Sequence, residues 1–323
     1  MRVLFLGGAG MIGSAVAAAL CGRGDQLTVV TRAEPRRELP AGTELLRGDV
    51  HDATALGRLV GDRTFDCVVH WVGFTPDQVS TVADVVGTRT GQFVFVSTCS
   101  VFQRPSPTLP IRESSPRHQP RFDYARNKLA CELLLEDRHR STGLPLTILR
   151  PAHTYDRTTV PLLAGWTAVE RMRSGRPVVV HGDGTSLWTL MHADDLARAA
   201  LPILGNQQAV GESINVVPAR SLTWDQIHQE LALAAGVRDP LLVHRSSETI
   251  GRHWPAWDVV LADDFRHSLL FDTAVLRQFS PGVEPTITFS EGARQIVDWF
   301  DADDSRRATN PDLDAAFDRL AAA

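Results

Sequence analysis

Short runs of branched apolar residues alternate with stretches of helical spacing along the first two hundred residues. Arg2–Leu6, Gln26–Val30, Glu44–Val50, Phe65–Gly73 and Gly91–Phe102 each carry a run of apolar residues that meets glycine or polar residues at its end. Such runs predict strands covered on both faces, as in a parallel sheet. Between them, Ser14–Leu20, Ala53–Val60 and the segment from Tyr124 to Leu135 carry apolar residues at helical intervals. Strand and helix in alternation predict an α/β chain wound about a parallel sheet.

The second half mixes sheet and lid. Pro177–Val180 and Ser213–Val217 read as strands, and Asp194–Leu204 and Thr223–Ala235 read as helices capped by Asp194 and Thr223. Pro240–Trp257 lacks a period and reads as a loop over a pocket, with His253 and Trp254 as packing residues. Ser290–Phe300 is amphipathic, Asp301–Asp304 reads as a solvated break, and a terminal helix follows from Pro311. The expected division is a sheet domain over 1–155 with 178–203, and a smaller α/β substrate lobe over 156–177 with 204–323.

Composition narrows the class. With 323 residues, 43% hydrophobic and 22% charged, the chain suits one large α/β unit with a smaller lobe. A net charge of -5 gives no general attraction to nucleic acid or anionic membranes, so neither partner is expected. Cys21, Cys67, Cys99 and Cys131 are scattered without ligand spacing, which predicts no metal site and a reducing compartment. The apolar start runs into glycine after Leu6, too short for a leader or a membrane span, and a cytoplasmic protein is expected.

The first strand is followed by Gly7-Gly8-Ala9-Gly10-Met11-Ile12-Gly13 and then by an alanine-rich helix. Glycines between a strand and a helix let a pyrophosphate approach the amides of the helix start, so Gly7, Gly10, Met11, Ile12 and Gly13 are expected to hold a dinucleotide. The next strand ends in Thr31-Arg32, with Arg36 and Arg37 behind, where an acidic residue would grip the ribose of NAD. Read as cofactor contacts, these arginines favour NADP over NAD; read otherwise, they are solvated loop charges, and Glu34 stays within reach. Asp49 and Val50 are placed to meet the adenine edge, and His70 is either a cofactor contact or a packed histidine. Thr98 stands at a strand end, where ligands of parallel sheets bind.

Lys128 is the only lysine, four residues after Tyr124, one of two tyrosines. On a helix that spacing puts both side chains on one face. A phenol titrates near pH ~10, and a nearby cation favours the phenolate, so the pair is a candidate general acid/base. Taken alone, it is equally the spacing of an ordinary surface helix.

Together these pieces resemble the extended short-chain dehydrogenases/reductases of the NAD-dependent epimerase/dehydratase type. Val69-His70-Trp71-Val72-Gly73, Val96 through Phe102, Leu149-Arg150-Pro151-Ala152-His153-Thr154-Tyr155, Gly182-Asp183-Gly184-Thr185 and His192 through Ala197 follow in that family's order. The resemblance implies a Rossmann-type doubly wound sheet, an NAD(P) cofactor also touched by His70, Trp71, Val72, Pro151 and His153, and a sugar-like substrate. It implies Tyr124 as the proton donor or acceptor, Lys128 as the group that lowers its pKa and holds the nicotinamide ribose, and Thr98 as a hydrogen bond to the reacting oxygen. Ser100, His153 and Trp188 join Thr98 as expected substrate contacts, and pairing of helices allows a homodimer.

The sequence also departs from that pattern. Family dehydratases carry Asp-Glu after the catalytic threonine, where this chain has Cys99-Ser100, which disfavours dehydration. Many sugar-nucleotide members place arginine where Trp188 stands and asparagine where His153 stands. An indole cannot neutralise a diphosphate, although Arg266 and Arg277 are available to compensate. The segment from Phe74 to Arg89 is short, which predicts a wider entrance. Trp188, Phe265-Arg266-His267-Ser268 and Leu270-Phe271-Asp272 are similar to a bacterial subgroup with likeness to chloroplast stem-loop RNA-binding relatives. A cofactor-binding or RNA-binding protein without catalysis is therefore the alternative.

Overall fold

The computed structural model describes residues 1–32, 34–35 and 38–322. Arg36 and Arg37, two of the expected cofactor-side arginines, lie outside the described residues. The chain runs β1 (Arg2–Leu6), α1 (Met11–Gly22), β2 (Gln26–Thr31), β3 (Glu44–Arg47), α2 (Ala53–Val60), β4 (Cys67–His70), α3 (Pro76–Val86), β5 (Phe93–Val96), α4 (Asp123–Thr142) and β6 (Leu146–Pro151). It continues through β7 (His153–Tyr155), α5 (Trp166–Arg173), β8 (Val178–His181), β9 (Leu187–Trp188), β10 (Leu190–His192), α6 (Ala193–Ala200) and β11 (Ser213–Val216).

The central sheet has seven strands in the order β11-β6-β5-β4-β1-β2-β3, every pairing parallel. Val3 through Leu6 are fully buried because one face of β1 packs under α1 and α6 and the other under α2 and α3. The strand order reverses direction between β1 and β4, and a crevice opens there beyond the carboxyl ends of the strands.

The structure redraws the expected division at two strands. β8 pairs with Leu242–Arg245 in the smaller lobe, whereas β11 completes the central sheet. Leu242–Arg245 and the helix Ser247–His253 also replace the expected loop over Pro240–Trp257. The lobe has its own core, in which Trp166 stacks on Phe300 at 4.5 Å and Trp224 on Phe265 at 5.1 Å.

Candidate active site

Two cavities lie along the crevice. The larger, about 410 Å³, reaches from Met11 and Ile12 at the start of α1 to Trp188 and Phe265 in the lobe. The smaller, about 250 Å³, lies between Gly7, Thr31, Arg32, Asp49, Val50 and Val72. Phe74 lines both.

The glycine turn is built for close approach. Gly8 has φ +81°, and a Cβ on Gly13 would stand 2.1 Å from the Gly8 carbonyl oxygen, so helix and turn meet backbone to backbone. Gly10 caps α1 without a side-chain bond to its amides, and a Cβ there would meet open space. The first amides of α1 thus face a cradle that suits a phosphate pair. Beyond the turn, Arg32 binds Asp49 at 3.0 Å while 71% exposed, and Glu34 pairs with Arg47 rather than with the groove.

Thr98 follows β5, accepts the Ser100 amide at 3.2 Å and caps the short turn Cys99–Val101. Tyr124 and Lys128 project from the first turns of α4. Although Tyr124 is 41% exposed overall, burial in the cleft raises its phenol pKa, and a side-chain hydrogen bond with Thr98 opposes the shift. Lys128 is 2% exposed, and its Nζ donates to the Val96 carbonyl at 2.7 Å. The ammonium lies 4.9 Å from the Phe74 ring and 4.8 Å from the Phe95 ring, and burial lowers its pKa to about 8. The expected lowering of the phenol pKa by Lys128 is therefore not what the cleft imposes: burial of Tyr124 prevails and the net shift is upward.

One turn further, Glu132 is fully buried, accepts from Arg150 twice at 2.9 Å and from Arg117 at 2.6 Å, and so ties α4 to β6. That network fixes the helix that carries Tyr124 and Lys128.

The remaining expected residues divide clearly. Pro151, His153, Trp188, Ser100 and Trp71 line the larger cavity, and Val50 and Val72 the smaller. His70 lines neither: it is fully buried between Phe93 and Phe95, and desolvation holds its pKa well below the usual histidine value. Trp188 donates its indole N–H to His153 Nδ1 at 2.9 Å. Neither compensating arginine reaches the larger cavity, since Arg266 pairs with Glu248 at 2.6 Å and Arg277 borders a separate small pocket. His253 and Trp254 also stay outside it.

Sequence reasoning missed Asp264, Phe74 and Ser97 in the lining. Asp264 is 2% exposed in a π-helical turn, accepts from Ser100 Oγ at 2.8 Å and Arg104 Nε at 3.1 Å, and burial raises its pKa. No local signal marks it, because its partners lie 164 and 160 residues away in the chain. Among the described residues, no group of three histidine, cysteine or acidic side chains could hold a metal, and no helix is long and apolar enough to cross a membrane.

A chloroplast stem-loop binding protein of 41 kDa from Arabidopsis thaliana is 27% identical over 256 residues, covering 75% of this chain, which spans 65% of that protein's length. A UDP-glucose 4-epimerase from Azospirillum brasilense is 32% identical over 248 residues, covering 66% of this chain and 71% of the relative. The UDP-glucuronic acid 4-epimerase of Bacillus cereus, solved with UDP-glucuronic acid and NAD, has the same fold, with a TM-score of 0.75 at 20% identity over 94% of this chain and 99% of its own. The profile of the NAD dependent epimerase/dehydratase family matches residues 3–217, and the chain belongs to that family.

Proposed function

We propose that this protein transfers hydride between an NAD(P) cofactor and a secondary alcohol or ketone on a sugar-like small molecule. The observation that carries the reading is the meeting of Thr98, Tyr124 and Lys128 in one cleft that opens onto the glycine turn. The uncapped start of α1 and the cradle at Gly10 fit the cofactor's pyrophosphate, with Met11 and Ile12 beside it. When bound there, the nicotinamide would supply or accept the hydride. Tyr124 moves the matching proton at the substrate oxygen, and Thr98 holds that oxygen by its hydroxyl. Because burial raises the Tyr124 pKa, the phenol is protonated at neutral pH, the form that donates to a carbonyl oxygen during reduction. Arg32 beside the smaller cavity supports a preference for NADP, tempered by its pairing with Asp49.

The test is Tyr124→Phe, assayed by nicotinamide absorbance over secondary alcohols and ketones. Turnover falls by about 10²–10⁴-fold while cofactor affinity stays nearly unchanged. Retained turnover in that variant defeats the reading. The net charge of -5 and the inward-turned Lys128 support an enzyme over the RNA-binding alternative.

A further inference from the structure

Polar groups that face the larger cavity have their hydrogen-bonding sense set by partners in the same wall. Ser100 donates its hydroxyl proton to Asp264 Oδ2 at 2.8 Å, and Arg104 holds the other carboxylate oxygen at 3.1 Å, with both charged side chains buried. The Ser100 oxygen is left with lone pairs only. His153 is set the opposite way. Its Nδ1 accepts from Trp188, and burial lowers its pKa to about 4, so at neutral pH the ring is uncharged and its Nε2 carries the proton.

Fixed positive charge is almost absent from the same lining. Among the described residues that line the cavity, Lys128 is the only basic side chain besides histidine, and it is bound to the Val96 carbonyl. The lobe end is aromatic, with Trp188 and Phe265 rings 4.5 Å apart. A diphosphate brought against this wall would lose water without gaining a cation, at a cost of several kcal/mol per ion. A polyol loses nothing comparable, because its C–H face packs on rings and its hydroxyls both donate and accept.

We propose that the cleft takes an uncharged cyclic polyol or hydroxyketone without a nucleoside diphosphate, one hydroxyl donating to Ser100 Oγ and another oxygen accepting from His153 Nε2–H against the Trp188–Phe265 wall. This rests on reading the cleft as the hydride-transfer site. It departs from the substrates named for the UDP-glucose and UDP-glucuronic acid epimerases above.

The experiment is thermal unfolding of the full chain saturated with NADPH, which keeps diphosphates out of the glycine cradle, in the presence of UDP or UDP-glucose at ~10 mM. No displacement of the Tm by either is expected. A saturable rise of several degrees overturns the proposal. In parallel, a panel of cyclic polyols and methyl glycosides is compared with their phosphorylated and nucleotide-linked forms. Turnover is expected with uncharged members, on which Ser100→Ala raises KM by about tenfold with the loss falling on KM rather than kcat. Turnover confined to charged members, or an unchanged KM in Ser100→Ala, overturns it. Failure of the hydride-transfer reading would show separately, as an active Tyr124→Phe variant.

Discussion

Lys128 Nζ donates to the Val96 carbonyl at 2.7 Å, so the chain's only lysine is fastened to the strand end that leads into Thr98. Position is thereby exchanged against charge: the ammonium is held at the cleft beside Thr98, in surroundings that disfavour its proton.

That exchange predicts a stability effect of definite sign. The Lys128 pKa is about 8 in the folded chain against 10.5 ordinarily, so between those pH values the unfolded chain binds the extra proton and stability rises with pH. Below pH 8 the buried charge costs about 3 kcal/mol, offset in part by the bond to Val96. Lys128→Met is therefore expected to unfold about 1–2 kcal/mol harder than wild type at pH 7, to lose that advantage by pH 10, and to lack turnover. Urea denaturation at the two pH values checks the sign; equal stability at both would contradict it.

Glu132→Ala is expected to destabilise strongly. It leaves Arg150, 1% exposed, without its two carboxylate bonds, and loss of one member of a buried pair costs about 3–5 kcal/mol. Arg117 retains Glu136 and contributes little to the loss. The midpoint of denaturant unfolding measures the effect, and a change below ~1 kcal/mol would show that α4 is not anchored through this residue.

Arg32→Ala is expected to weaken NADPH binding by only about fivefold and to leave NADH binding nearly unchanged. The modest size follows from exposure and from the existing bond to Asp49, and the effect should shrink as salt is added. Asp49→Asn frees the guanidinium and should move preference further toward NADPH. Cofactor titrations decide both, and NADH binding to the wild type as tightly as NADPH would remove the preference altogether.

Much of this architecture was legible because it is local. Ala53–Val60 forms the helix its spacing predicts, and Arg2–Leu6 forms the strand. Thr98, Tyr124 and Lys128 come into one cleft. Boundaries moved where backbone chemistry intervened: α1 starts at Met11 rather than Ser14, since Gly10 caps it, and β3 stops at Arg47 before the Gly48 turn. β8 and β11 exchanged places because Val178–His181 and Ser213–Val216 have similar apolar patterns, and only tertiary pairing decides which joins the large sheet. For His70 the sequence left cofactor contact and packing both open, and its neighbours Phe93 and Phe95, distant in the chain, make it core. Asp264 could not be found at all, since its meaning lies in Ser100 and Arg104, half a chain away.

The cleft's two sides come from separate parts of the chain: Thr98, Tyr124 and Lys128 stand on the turn after β5 and on α4, beside the central sheet, whereas Trp188, Asp264 and Phe265 come from the lobe. On the proposed function, reaction and recognition are separable inheritances. A chain could then keep every residue through Pro151, rebuild β9 and the turn Leu261–Phe265, and turn the proposed proton transfer upon a different molecule.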